Sequence, residues 1–239
     1  LSLIKNKKNR GEMLFLRSKG IVISKTDVEE ADRYITVFME EFGKVSVFVK
    51  GIRKSKKRDK TAVDILSETD FLFHMKNENI ILSDFFSIDN YKNIKKDIEK
   101  LNAALYIFSV LNQVLVENGK NRGMYTLLEK TLRYLDKTED MRKNYLLIVY
   151  FLYQIIKDEG IDTGKNVDFF IEEINKKVSI LAKEILKSLF DEKLKRIIDD
   201  EKYEFTFIKE VILLLEFYIN KNLDIGINAE KMLWGAWIW

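Results

Sequence analysis

The feature that most constrains this chain is a change of hydrophobic period near residue 90. From about residue 19 to 88 the apolar residues alternate or come in short bursts. Lys44-Val45-Ser46-Val47-Phe48-Val49-Lys50 sets Val45, Val47 and Val49 on one face, the spacing of a half-buried strand. Gly20-Ile21-Val22-Ile23 and Tyr34-Ile35-Thr36-Val37-Phe38 are rich in the β-branched and aromatic residues that fit a pleated surface. Gly43 stands between two such runs, where a turn needs a residue free to take positive φ. Asp70 to Met75 and Asn79 to Phe86 flank Lys76-Asn77-Glu78, which reads as a hairpin loop. Five strands in roughly 70 residues suit a small closed barrel.

From about residue 91 the period becomes helical. Ile94, Ile98, Leu101, Leu105, Phe108, Leu111 and Leu115 recur at threes and fours. Asn118-Gly119 and Asn121-Arg122-Gly123 interrupt them, and Leu127, Leu128, Thr131, Leu132 and Leu135 mark a second helix. Residues 145–156 are apolar nearly all round and predict a central buried helix, ended by Gly160 and Gly164. Ile171, Ile174, Val178, Leu181, Ile185 and Leu189 predict one further long amphipathic helix, and Ile208, Val211, Ile212, Leu215 and Ile219 the last. Strands followed by helices imply segregated layers, not an interleaved βαβ sheet. The expectation is an α+β chain: an N-terminal OB-fold β-barrel over residues 13–89, then an all-helical domain over 90–239. Residues 1–12 are expected to be an extension upstream of the barrel, because Met13 stands where a start would suit the strand that follows.

Composition removes several functions. No cysteine occurs, which excludes disulfides, cysteine zinc sites and thiol nucleophiles built from this chain. The one histidine, His74, lies in strand-like Phe71-Leu72-Phe73-His74-Met75 and reads as a structural or surface imidazole. Nothing around it resembles a nucleophile elbow, and Gly119-Lys120 and Gly164-Lys165 lack the spacing and the Ser/Thr of a phosphate loop. The chain is therefore read as a non-enzyme without cofactor. No targeting segment is apparent, and residues 145–156 fall short of the roughly 20 apolar residues of a membrane span. The net charge of +3 lies in residues 1–12, where Lys5, Lys7, Lys8 and Arg10 stand against Glu12. Attraction to an anionic partner must then come from local clustering.

Such a cluster exists. Lys50-Gly51-Ile52-Arg53-Lys54-Ser55-Lys56-Lys57-Arg58-Asp59-Lys60 carries seven cations and one anion in eleven residues. It follows a strand at a glycine, which predicts an exposed loop. Like charges crowded in a loop repel one another, whereas neutralising phosphates releases counterions and turns the crowding into binding energy. The bland reading is a solvated charge run. Tyr34, Phe38 and Phe48 lie nearby as stacking candidates or as core. Glu29, Glu30, Asp32, Glu40 and Glu41 have no regular ligand spacing and read as surface charge and caps. Met232-Leu233-Trp234-Gly235-Ala236-Trp237-Ile238-Trp239 holds all three tryptophans, either as an exposed partner patch or as a buried cluster.

Four segments in order resemble the RecO family of DNA repair proteins: Lys19-Gly20-Ile21-Val22-Ile23, Glu30-Ala31-Asp32-Arg33-Tyr34-Ile35-Thr36-Val37-Phe38, Glu41-Phe42-Gly43-Lys44-Val45-Ser46, and Lys50-Gly51-Ile52-Arg53-Lys54-Ser55-Lys56-Lys57-Arg58. The resemblance implies an N-terminal OB-fold followed by a helical domain. It also implies a homologous-recombination mediator without turnover of its own. Such a protein binds single- and double-stranded DNA, anneals complementary strands, and works with RecR to load RecA onto DNA coated by single-stranded DNA-binding protein, whose acidic tail it contacts. The implied place is the bacterial cytoplasm, at the nucleoid. Two departures stand out. The four-cysteine zinc motif of many members is absent, with Asp162-Thr163-Gly164-Lys165-Asn166 near where it would begin. Asp27-Val28-Glu29 replaces the usual aromatic-glycine pair.

On this reading Lys50, Arg53, Lys54, Lys56, Lys57, Arg58 and Lys60 bind phosphates without reading sequence, helped by Arg33 and Lys44 at nearby strand ends. Holding two strands by their backbones leaves the bases free to pair, which is what annealing requires. About five such contacts to single-stranded DNA correspond to a log–log salt slope of about −3.5. The competing readings are an OB-fold RNA-binding or ribosome-associated factor and an interaction scaffold whose basic loop is incidental.

Overall fold

The computed structural model describes residues 4–5, 14–76, 79–164 and 166–235. Most of the 1–12 extension, the loop residues Asn77 and Glu78, and the last two tryptophans lie outside the described residues. The chain forms two compact units. The first holds Leu1–Lys92 and Leu115–Lys130, the second Asn93–Val114 and Thr131–Trp239.

The first unit is built on antiparallel strands β1 (Ile4–Lys5), β2 (Leu14–Val28), β3 (Asp32–Met39), β4 (Gly43–Val49), β5 (Glu68–Lys76) and β6 (Asn79–Asp89). Their order is β4-β3-β2-β5-β6, with β1 paired to β2. The central strand β2 serves two partners: residues 15–21 pair with β5 and residues 20–28 with β3. A register shift between Val22 and Ser24 marks the irregularity, and an extra residue of this kind bends a strand and raises its twist. Alternation works as expected along β4, where Val47 and Val49 are buried while Ser46 and Phe48 face solvent. The core gathers Val22, Ile35, Val37, Val49, Phe71, Phe73 and Phe85.

The five long strands stand where the hydrophobic pattern predicts them, but the barrel is not closed. Among the described residues no hydrogen-bonded ladder joins the edge strands β4 and β6. An apolar cavity of 480 Å³ separates them, lined by Val45 and Val47 of β4, Phe73 of β5, and Ile81 and Leu82 of β6. Phe42, Val45 and Leu82 pack onto the core at this opening and line the cavity.

Residues 115–130 complete the first unit. The Lys44 carbonyl accepts the Asn118 N–H at 2.8 Å. Lys120 and Arg122 pair with Glu41 at 2.7 and 2.6 Å, and Tyr125 meets Phe38 edge-on at 5.8 Å.

The second unit is helical, with α1 (Lys92–Lys96) starting at its border, then α2 (Ile98–Val114), α3 (Arg122–Lys137, begun in the first unit), α4 (Met141–Asp158), α5 (Val167–Ile174), α6 (Ile180–Phe190) and α7 (Phe205–Leu223). Asp97 separates α1 from α2: its carboxylate accepts the Glu99 and Lys100 N–H groups at 2.9 and 3.1 Å, as a cap does. Helix α4 is the buried centre foreseen from residues 145–156 and packs along α7. The single long helix expected over 171–189 is instead two. Asn175 ends α5 at φ 49°, in the left-handed region, and Ser179 begins α6 by accepting the Ala182 N–H. Glu210 fixes that start, accepting from the Ser179 N–H at 2.8 Å and hydroxyl at 2.6 Å. Trp234 packs against Tyr145 and Phe205, with ring centroids 5.9 and 6.0 Å away.

Candidate nucleic-acid interface

The basic segment leaves β4 as an ordered loop. Val49 is buried, Lys50 is exposed, and Gly51 turns the chain at φ 67°. The Gly51 N–H donates to the Asp32 carboxylate at 2.6 Å. Ile52 then enters the core with no exposed surface, a burial that stabilises by about 2 kcal/mol. The Arg53 N–H donates to the Ala31 carbonyl at 2.9 Å, which lays the loop beside the turn between β2 and β3. Farther along, the Ser55 hydroxyl accepts the Lys57 and Arg58 N–H groups at 3.3 and 3.0 Å. The Asp59 carboxylate accepts the Thr61 N–H and hydroxyl at 2.9 and 2.7 Å. Buried Ala62 and Val63 close the segment. A charge run with a buried residue near each end and capped turns between them is a built surface.

The nine cations named from the sequence fall into three groups. Four have acidic partners. Arg33 lies 2.7 Å from Asp27 with only 12% of its side chain exposed, and Arg53 is 3.3 Å from the other oxygen of the same carboxylate. Lys54 pairs with Glu30, and the largely buried Lys44 lies 3.8 Å from Glu117. Two more are tied to the loop itself. Arg58 donates to the Lys50 carbonyl at 2.8 Å and lies 4.6 Å from the centre of the Phe85 ring. Lys60 donates to the Arg53 carbonyl at 2.5 Å. The remaining three, Lys50, Lys56 and Lys57, are exposed and have no side-chain partner among the described residues.

The loop brings seven of the nine together and Arg33 beside them through Asp27. Lys44 stands apart, at the opposite end of β4 from Lys50, roughly 20 Å away at a strand's rise per residue. Asp27 titrates below the usual carboxylate range, chiefly through the Arg33 hydrogen bond and then through the charges of Arg33 and Arg53. Asp27, met in the sequence only as a departure from the family pattern, and Asp32, read there as surface charge or cap, are the loop's anchors. The signal available was their place beside a strand-to-strand turn, and only pairing of β3 with β4 brings that turn to the loop. Glu30 pairs with Lys54, and Glu40 and Glu41 pair with Arg122.

Of the three nearby aromatics, Phe38 is core, whereas Tyr34 and Phe48 are 48% and 41% exposed. His74 is half-buried on β5, 6.4 Å from the Phe15 ring. Among the described residues no group of three or more His, Cys, Asp or Glu could hold a metal ion, and no helix is long and apolar enough to cross a membrane.

The second unit carries a separate groove of 620 Å³. Leu146, Leu147, Tyr150, Tyr153 and Leu189 line it, with Lys143, Lys157 and Lys195 also at its wall. Lys143 is held by Asp199 at 2.7 Å and Lys157 by Glu192 at 2.8 Å. Both ammonium groups titrate above the ordinary lysine value, mainly through those hydrogen bonds.

Residues 13–83 match the model of the recombination protein O N-terminal domain, and residues 95–162 match that of its C-terminal domain. The chain is similar to DNA repair protein RecO of Thermoanaerobacter sp. (strain X514), 28% identical over 127 residues, covering 53% of this chain and 51% of that protein. It is 29% identical over 127 residues to DNA repair protein RecO of Acetivibrio thermocellus, covering 53% and 51%. To that of Bacillus cytotoxicus it is 30% identical over 122 residues, covering 51% and 49%. The chain spans about half the length of these curated relatives.

Proposed function

The chain belongs to the recombination protein O family, and from that premise we propose that it acts in DNA repair and homologous recombination by holding DNA strands through their phosphates on the loop after β4. One observation carries the reading: Lys50, Lys56 and Lys57 project from an ordered loop with no protein partner among the described residues. Three unneutralised charges on one short loop favour an anion with closely spaced charges, and a nucleic-acid backbone is such an anion. Lys54, Arg53, Arg58 and Lys60 border them as cations that can exchange their present partners for phosphate. Arg33 and Lys44 act by fixing the loop and the sheet.

Backbone contacts position strands and leave base edges free. A loop that binds two strands this way lowers their mutual repulsion and lets them pair, without a covalent step. On this reading the chain works beside RecR in loading RecA onto DNA coated by single-stranded DNA-binding protein, in the bacterial cytoplasm at the nucleoid. The groove of the second unit suits the acidic, apolar tail of that coating protein. Leucine and tyrosine side chains would take its apolar residues, and Lys195, with Lys143 and Lys157, its carboxylates.

The test is annealing of complementary oligonucleotides by the purified chain, read by fluorescence energy transfer across a range of salt. Acceleration that falls with salt supports the reading. Replacing Arg53, Lys54, Lys56 and Lys57 by glutamate should abolish it and flatten the salt dependence of binding. An unchanged rate and slope would overturn it. For the groove, Tyr150→Ala with Lys195→Glu should lose binding of a tail peptide in solution, and retained affinity would place the tail elsewhere.

A further inference from the structure

Tyr34 and Phe48 are direct cross-strand partners on β3 and β4. Their ring centroids lie 4.8 Å apart with planes inclined by 46°. Both stand in solvent, although large aromatic side chains are strong candidates for burial. The contrast with Phe38, four residues along β3, is direct. Phe38 is covered by Tyr125 and fully buried.

The neighbours of the exposed pair leave its rings open. Thr26 is the β2 partner of Tyr34, and Thr36 and Ser46 form the next cross-strand pair. These are small side chains that cannot cover an aromatic face. Lys50 follows Phe48 by two residues, at the start of the loop that leaves β4. A cross-strand aromatic contact stabilises a sheet modestly. That accounts for the two rings touching each other, not for their being left open next to a loop of unpaired lysines.

We propose that Tyr34 and Phe48 form a base-stacking platform, so that the first unit binds single-stranded nucleic acid in preference to duplex. This rests on the phosphate-binding reading of the loop and adds a base contact to it. The chemistry separates the two nucleic-acid forms. Both offer phosphates to Lys50, Lys56 and Lys57. Only a single strand offers unstacked base faces, because a duplex covers them with its own neighbours. Every base has such a face, so stacking discriminates strandedness without reading sequence.

The experiment measures equilibrium binding of the full chain to labelled oligothymidylate, to a duplex of equal length, and to an abasic sugar–phosphate strand of equal length. The double substitution Tyr34→Thr, Phe48→Thr keeps β-branched residues on the strands and removes both rings. It should weaken oligothymidylate binding by about tenfold or more, leave duplex affinity and the salt slope unchanged, and leave the melting temperature close to that of the parent. Tyr34→Phe keeps the ring and should keep the affinity. The unaltered chain should bind the abasic strand about tenfold more weakly than oligothymidylate, a measurement that needs no variant to fold. Equal binding of abasic strand and oligothymidylate by the unaltered chain would overturn the platform. Lys50, Lys56 and Lys57 replaced together by glutamine should weaken single strand and duplex alike. If that triple variant loses affinity while ring removal and base removal do nothing, the platform alone fails. If the rings and bases matter while the lysines do not, the platform stands and the phosphate reading fails.

Discussion

Asp27 bonds to Arg53 across the mouth of the basic loop, 3.3 Å from carboxylate oxygen to Nε, while its other oxygen takes Arg33 at 2.7 Å. Arg53 also donates to the Glu29 carbonyl at 2.7 Å. One carboxylate at the end of β2 therefore ties the strand after it to the loop after β4. The cationic loop is held by an acid that lies outside the loop itself.

The first prediction follows from that pairing. Asp27 has its folded pKa below the ordinary carboxylate value of 3.8, with the Arg33 hydrogen bond as the largest cause. A lowered pKa means that the unfolded or detached carboxylate binds a proton more readily. The contribution of Asp27 to loop order is thus complete above the ordinary value and disappears as pH falls through the lowered one. Protection of the residue 50–60 amides from hydrogen exchange, relative to the intrinsic rate at each pH, should hold down to about pH 4 and fall below it. Asp27→Asn should show fast exchange already at neutral pH. Slow exchange in that variant would mean that the Gly51–Asp32 bond and Ile52 suffice.

A second prediction separates the cations proposed to meet DNA from those that hold the loop and sheet. Lys50, Lys56 and Lys57 changed together to glutamine should reduce the magnitude of the log–log salt slope for single-stranded DNA by about 2, three phosphates each contributing about 0.7. Lys44→Met should leave the slope unchanged and instead alter the melting temperature, since Lys44 is nine-tenths buried and lies against Glu117. Arg33→Gln should behave as Lys44→Met does. If Lys44→Met reduces the slope as the triple variant does, the division is wrong.

The period change near residue 90 and the alternation of Val45, Val47 and Val49 made the strands-then-helices order legible, because each depends on neighbours two to four residues away. The basic loop was legible as charge, and its exposure follows from its place after a strand. What escaped depends on distant residues. The open barrel depends on β4 and β6, edges far apart in the chain, with a cavity lined by Phe42, Val45 and Leu82 between them in place of a ladder. The commitment of Arg33 and Lys44 to Asp27 and Glu117 cannot be read from their own positions. The break between α5 and α6 had a local signal in Asn175 and Ser179. Ile171, Ile174, Val178 and Leu181 nevertheless keep helical spacing straight across it, so periodicity masked the cap. Ile52, apolar inside a cationic run, was the clue that the loop is anchored.

A third prediction contrasts two glycines of positive φ. Gly43, at φ 71°, sits so close to residue 119 that an added Cβ would lie 2.0 Å from the Gly119 carbonyl oxygen. Gly51, at φ 67°, has nothing within 4 Å of the same position. Gly51→Ala should therefore cost only the left-handed backbone, about 1–2 kcal/mol, and Gly51→Asn less. Gly43→Ala adds a backbone collision and should cost about 3 kcal/mol or more. Denaturant unfolding of the two variants checks the order, and equal losses would show that the chain near Gly119 yields freely.

The last prediction concerns a buried carboxyl in the second unit. One oxygen of Glu216 accepts the Tyr106 hydroxyl at 2.8 Å and the Ala229 N–H at 2.5 Å. Burial raises the Glu216 pKa above the ordinary 4.5 more than those two donors lower it. With the folded pKa above the unfolded one, the folded state takes the proton more readily. Glu216 therefore favours folding most below the unfolded pKa, and that advantage is lost as pH rises through the raised one. Glu216→Gln keeps an oxygen acceptor and cannot titrate. The melting temperature of the parent minus that of Glu216→Gln should then become more positive as pH falls from 7 towards 4.5, since groups common to both cancel. Tyr106→Phe removes one donor from the buried oxygen and should cost about 1–2 kcal/mol at neutral pH. It should cost less in acid. A melting-temperature difference independent of pH would mean that Glu216 keeps the same proton in the folded and unfolded chain, and that the Tyr106–Glu216–Ala229 contact holds the C-terminal turn by geometry without linkage to pH.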